Sequence, residues 1–160
     1  MIIYRPLFCV FAIFGFLVGL QNCQVTSQNV QSGHEATPLT VPVGGNSWLI
    51  NSNDKDEKIT KEGLINWKNA GTICRTYVRV PQAGKLKVSV VLNTKDGESK
   101  ISLTVLGKTI SLTTTPNTTN EYFAGEWEIK QPGYVSIDLQ GVTKTSDSFG
   151  QVQSINISGS

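Results

Sequence analysis

Histidine is all but missing from this chain, with His34 the single one among 160 residues. It stands in "QNVQSGHEAT" at 28–37, a polar stretch without periodicity that reads as a flexible leader. A Ser–His–Asp or Cys–His arrangement would have to take its base from that leader, a poor support for catalytic geometry. Cysteine is scarce as well, at three residues, and neither a CxxC pair nor an HExxH motif occurs. Cys9 and Cys23 fall in an N-terminal segment expected to be removed, and the one Cys and one His that remain cannot build a four-ligand zinc site. Charged residues make up only 16% of the chain, the formal net charge is +2, and no basic block is present. Nucleic acid and anionic membrane are therefore not expected as partners. A 3.6-residue apolar repeat is missing too; "DKDEKITKEG" tolerates a helix but is mostly charged.

Long apolar runs are limited to one. Arg5 precedes "LFCVFAIFGFLVGL" at 7–20, and the polar "QNCQVTSQ" follows. A basic start, a short apolar stretch and a polar exit describe a secretory signal peptide over 1–27. The run falls short of the roughly 20 apolar residues that a bilayer span requires. "LQNC" loosely resembles a lipoprotein box around Cys23, but Asn22 replaces the expected small residue, so soluble secretion is favoured over a lipid anchor. Cleavage after Ser27 would remove Arg5, Cys9 and Cys23, lower the formal charge by one, and leave no membrane segment. The remaining chain is long enough to bury roughly two thirds of its unfolded surface as one domain over 38–160 without a disulfide. Cys74 then reads as a small core residue. Two sequons, at Asn117 ("NTT") and Asn156 ("NIS"), are candidate glycosylation sites in a secreted glycoprotein.

What the chain does have is β pattern. Runs rich in Val, Ile, Leu, Thr and Tyr predict strands at 39–43, 47–51, 73–80, 85–92, 100–106, 108–113, 121–130, 134–140 and 151–158. In "KLKVSVVL" Leu86, Val88 and Val90 share one face, and in "YVSIDLQ" Val135, Ile137 and Leu139 do the same. Such alternation describes sheets with one buried and one wet face. The turns "PQAG", "KDGE", "LGK" and "QPG" are of hairpin type. The expected fold is an all-β antiparallel sandwich of jelly-roll type. An immunoglobulin-like sandwich is the alternative, although its Cys–Trp–Cys core is not available.

From Thr72 onward the order of features resembles secreted jelly-roll carbohydrate-binding modules, carried by "TYVRVPQAGKLKVSVVL", "KISLTVLGKTISL", "QPGYVSIDLQG" and "VQSINISG". The chain more closely resembles the secreted family known as domain of unknown function 5077. The stretches that match are "VPVGGNSWLIN", "EKITKEGLINW", "GYVSIDLQGVTKT" and "QSINISG", which span 41–159. That resemblance implies a sugar-binding-type sandwich without naming a ligand. Members often stand before a second uncharacterised domain, and this chain reaches Ser160 without one.

A sugar ring offers an apolar C–H face and a rim of hydroxyls, so its site needs an aromatic plane beside amide or charged groups. Asn46 with Trp48, and Asn66 with Trp67, supply that pairing in asparagine-rich loops; "GVTKTSDSFG" adds Lys144, Asp147 and Phe149. Convergence of these three loops at one end of a jelly roll would make a glycan or glycoprotein site. Tyr77 shares a wet strand face with Arg75 and Arg79 and is a further candidate. Core burial is the competing reading for Trp48 and Trp67, and the expected one for Trp127. Glu126 and Glu128 flank Trp127 on the opposite face as a solvated sheet edge rather than a glycosidase pair, so no enzyme is expected. "NSNDKDEK" offers Asp54 and Asp56 as candidate ligands of a structural calcium, against a charged surface loop. No other cofactor is implied. The competing function is a structural or protein-interaction sandwich with no sugar site.

Overall fold

The computed structural model describes residues 37–95 and 97–159. The expected signal peptide at 1–27, all but the last residue of the leader at 28–37, His34, Cys9 and Cys23 lie outside the described residues. The described residues form eleven strands: β1 Leu39–Pro42, β2 Ser47–Ile50, β3 Lys58–Thr60, β4 Gly63–Ile65, β5 Ile73–Val80, β6 Gly84–Thr94, β7 Ser99–Val105, β8 Lys108–Thr113, β9 Thr118–Ile129, β10 Gly133–Lys144 and β11 Gln151–Gly159.

The strands build two antiparallel sheets. One has the order β3-β4-β11-β6-β9, with β1 also paired to β11; the other runs β2-β5-β10-β7-β8. The alternation explains how they pack. Leu86, Val88, Val90 and Leu92 of β6 face Ile101, Leu103 and Val105 of β7 and Val135, Ile137 and Leu139 of β10 across one buried core. Trp127 belongs to this core, as its phase against the flanking glutamates requires. So does Cys74, whose thiol is pushed up to about 12 by burial. The arrangement is a jelly-roll β-sandwich.

Two expectations need correcting. Of the four turns read as hairpins, only "LGK" closes one, pairing Val105 with Lys108. "PQAG", "KDGE" and "QPG" carry the chain from one sheet to the other, because β5, β7 and β10 lie in one sheet and β6 and β9 in its opposite. Turn residues fix a reversal of direction; they do not choose the sheet in which the next strand finds its partner. The second correction is the hairpin β3–β4, which starts inside the charged "DKDEKITKEG" and ends at Ile65 just beyond it. There Ile59 pairs with Leu64, and Leu64 pairs in turn with Val152 of β11. Three-residue strands need a single inward apolar pair, too little to produce a visible period.

Candidate functional site

The outer face of the five-stranded sheet holds the first group of predicted residues. Leu49 packs against the core, so its neighbour Trp48 on edge strand β2 turns outward and stays 57% exposed. The register sets Trp48 opposite Arg75 of β5, and Arg75 opposite Asp138 of β10. Arg75 donates two parallel hydrogen bonds, Nε to Asp138 Oδ1 and Nη2 to Asp138 Oδ2, each 2.7 Å. Such a fork fixes the guanidinium plane. These bonds and the Asp138 charge raise the guanidinium pKa. Tyr77, two residues along β5, is 45% exposed, and its ring meets Trp48 edge-on at 5.7 Å and 70°. Two adjacent aromatic surfaces and an oriented ion pair therefore share one wet sheet face.

The loops at the start of β5 and after β10 hold the second group, and here the expectation of an open indole fails. Trp67 is fully buried, its ring packed at 5.1 Å and tilted by 46° against Phe149, and the Phe149 amide donates to the Trp67 carbonyl at 2.7 Å. It plugs the end of the core, so no face is left for a ligand. Phe149 in turn lies so close over Gly141 that a Cβ there would sit 2.4 Å from the ring. Lys144 is engaged as well: its Nζ donates to the Ser146 and Asp147 carbonyls at 3.2 and 2.8 Å and lies 5.5 Å from the Phe149 ring centre.

The asparagines have backbone work. Asn66 adopts a φ of 55° and its Nδ2 donates to the Asp56 carbonyl; Asn46 Nδ2 donates to the Pro42 carbonyl at 2.9 Å. Asparagine tolerates the left-handed region better than other non-glycine residues, and its amide bonds nearby backbone readily. Asn66 also lines a shallow cleft of about 310 Å³ with Ile65, Asn93, Lys95, Ser148, Gly150 and Gln151. Trp48 and Tyr77 thus belong to the sheet face, whereas Asn66, Trp67 and Lys144 belong to the loop end; the single convergent site does not form.

The remaining candidates separate clearly. Asp54 Oδ1 accepts from the Asp56 amide at 2.8 Å, a local turn, and among the described residues no group of three or more His, Cys, Asp or Glu gathers as a cation site. The buried carboxylate of this loop is Glu57. It accepts from the Lys68 and Asn69 amides at 2.8 and 2.5 Å, from Ser52 Oγ at 3.1 Å and from Thr72 Oγ1. Glu126 is held below the usual carboxylate range by its hydrogen bond with Lys85, the opposite of what a proton donor needs. Asn117 lies in an exposed turn before β9, while Asn156 sits mid-strand in β11 between Thr40 of β1 and Ser89 of β6. Sequence reasoning missed the Arg75–Asp138 pair and the exposed Tyr134 of β10; the phase of "YVSIDLQ" sets Tyr134 on the wet face, but the strand beside it is a long-range choice.

Solved structures share this architecture. A GH26-CBM35 β-(1,4)-mannanase from Podospora anserina aligns with a TM-score of 0.58 at 8% identity, over 77% of this chain and 28% of that one. A family 35 carbohydrate binding module from Clostridium thermocellum gives 0.51 at 16% identity, over 76% of this chain and 98% of the module. A CBM35 from Cellvibrio japonicus gives 0.51 at 16%, over 77% and 94%. The chain therefore corresponds to about a quarter of the mannanase and to nearly the whole of the isolated modules. At these identities the likeness is one of fold. No curated protein matches the chain. The family model described as domain of unknown function DUF5077 matches residues 41–160, most of the sequence, and the chain belongs to that family.

Proposed function

We propose that this protein is a non-catalytic, extracellular carbohydrate-binding module that takes a glycan onto the outer face of its five-stranded sheet. One observation carries the reading: Trp48 and Tyr77 stand exposed and edge-to-face beside the forked Arg75–Asp138 pair. An indole and a phenol left side by side in water are an unfilled apolar surface, and the ion pair next to them is aligned for hydroxyl donors and acceptors. That combination matches the two chemistries of a sugar, whose C–H face stacks while its rim hydrogen-bonds. Its likeness in fold to carbohydrate-binding modules supports the same reading, as does a carboxylate, Glu126, tuned away from acid catalysis. The signal-like segment at 1–27 supports export, and the secreted protein would begin at Gln28.

The test is a glycan array with the secreted protein and its Trp48→Ala variant, followed by titration of tryptophan fluorescence with the glycans that bind. Trp48 lies outside the core, so the variant should fold and melt within a few degrees of the parent. Its affinity should fall at least tenfold, about 1.4 kcal/mol. A blank array with folded protein, or unchanged binding by Trp48→Ala, overturns the reading and leaves a structural or protein-interacting sandwich.

A further inference from the structure

Seven large apolar side chains are exposed among the described residues, and their positions are not scattered. Leu39 and Phe123 belong to the six-stranded sheet, and Val142 lies at the irregularity near the end of β10. Of the other four, Trp48, Tyr77 and Tyr134 fall along one line, and Leu106 lines the same groove as Tyr134. Trp48 is level with Arg75 of β5, Tyr77 is two residues further along β5, and Tyr134 of β10 pairs with Arg79, two further again. Each is thus the diagonal neighbour of the one before, on three adjacent strands and the same face. Diagonal neighbours are about 7–8 Å apart, so Trp48 and Tyr134 are separated by roughly 15 Å. Between and beside the rings stand Arg75, Ser136 and Arg79.

At its far end the line enters a groove of about 460 Å³ lined by Tyr134, Leu106, Pro132, Gln131, Lys130 and Glu128. Tyr134 is 75% exposed there and Leu106 60%. Leu106 is a second, independent sign. Among the described residues four non-glycine positions have positive φ; three are asparagines and the fourth is Leu106 at 50°. A bulky residue held in that region at the tip of an exposed hairpin adds strain without filling the core, and such outliers concentrate where a surface has work to do.

We propose that the site is an extended track running from Trp48 over Tyr77 and Tyr134 to Leu106, and that its ligand is a polysaccharide chain bound along its length. This rests on the glycan reading given above. One ring per stacked sugar, with polar groups between rings, suits a periodic chain of apolar faces and hydroxyl edges. A protein partner would find an interrupted diagonal rather than a continuous apolar patch.

The test is calorimetric titration of the secreted protein with manno-, xylo- and cello-oligosaccharides of one to six units. Affinity for the sugar type that binds should rise at least tenfold between the disaccharide and the longest oligosaccharides. Tyr134→Ala and Leu106→Asn should weaken the hexasaccharide much more than the disaccharide. Trp48→Ala should weaken every length, and Phe123→Ala, an exposed ring on the other sheet, should change none. Equal affinity for short and long sugars, or a chain-length gain that survives Tyr134→Ala in a variant with parental melting, overturns the track while Trp48 stacking stands. Binding of none of the probes overturns both.

Discussion

Leu106 offers the sharpest perturbation of the fold. The β7–β8 hairpin has a two-residue loop, Leu106-Gly107, with φ of 50° and 77°, since Val105 pairs directly with Lys108. Positive φ at both central residues is the type I′ pattern, for which Asn-Gly is the favoured pair. An L-residue with a Cβ loses roughly 1–2 kcal/mol in the left-handed region, and asparagine recovers part of it through local hydrogen bonding. Comparing Leu106→Asn with the parent mixes this backbone effect with loss of leucine contacts, because the side chain is only 60% exposed. The covered remainder stabilises by up to about 1 kcal/mol, enough to mask the gain.

A third protein separates the two effects. Leu106→Ala loses the leucine contacts as Leu106→Asn does, but keeps the unfavourable backbone. Leu106→Asn should therefore be more stable than Leu106→Ala by about 1 kcal/mol. In a domain of this size that is a difference in Tm of about 3–6 °C. Denaturant midpoints from tryptophan fluorescence check it, with equal slopes required for the comparison. Should alanine equal or exceed asparagine, the strain ascribed to position 106 is absent and the second sign for the extended track goes with it. If asparagine also surpasses the parent in stability while binding long oligosaccharides more weakly, leucine is present at a cost to the fold and to the benefit of the surface.

Glu57 and Cys74 supply two further predictions. Removing the Glu57 carboxylate by Glu57→Ala leaves the Lys68 and Asn69 amides and the buried Thr72 hydroxyl without their acceptor, while Ser52 keeps the Asp54 carbonyl; at about 1–3 kcal/mol for the buried hydroxyl and less for each partly exposed amide, stability should drop by about 2–4 kcal/mol. Glu57→Gln should lose only about 1–2 kcal/mol, because Ser52 and Thr72 can rotate their hydroxyls to accept from the new amide while the amides of Lys68 and Asn69 keep an oxygen. A Glu57→Ala melt matching the parent would show that the clamp between these loops contributes nothing. Cys74, raised to about 12 by burial, should resist iodoacetamide at pH 8 in the native protein and react promptly in guanidinium, as read by mass spectrometry of its peptide. Rapid native alkylation would contradict its place in the core.

What was legible in the sequence and what was not divides along a physical line. Period-2 alternation is local, and it correctly assigned the faces of β6 and β10 and set Tyr77 beside Arg75 and Arg79 on a wet surface. Which strand lies next to which is decided by long-range packing. Trp48 reaches Tyr77 only because β2 pairs with β5, and Trp67 is sealed only because Phe149 returns from the far side of the chain. The asparagine-rich loops misled for a different reason: asparagine serves both as an amide for ligands and as a substitute for glycine at positive φ. Asn51, Asn66 and Asn117 occupy such positions here, so their frequency reflects turn geometry before it reflects recognition. The same ambiguity, turned round, is what makes Leu106 informative. Where a fold uses asparagine for its left-handed turns and then sets a leucine at one of them, backbone chemistry gives no reason for the choice, and the reason is to be sought in what touches the surface there.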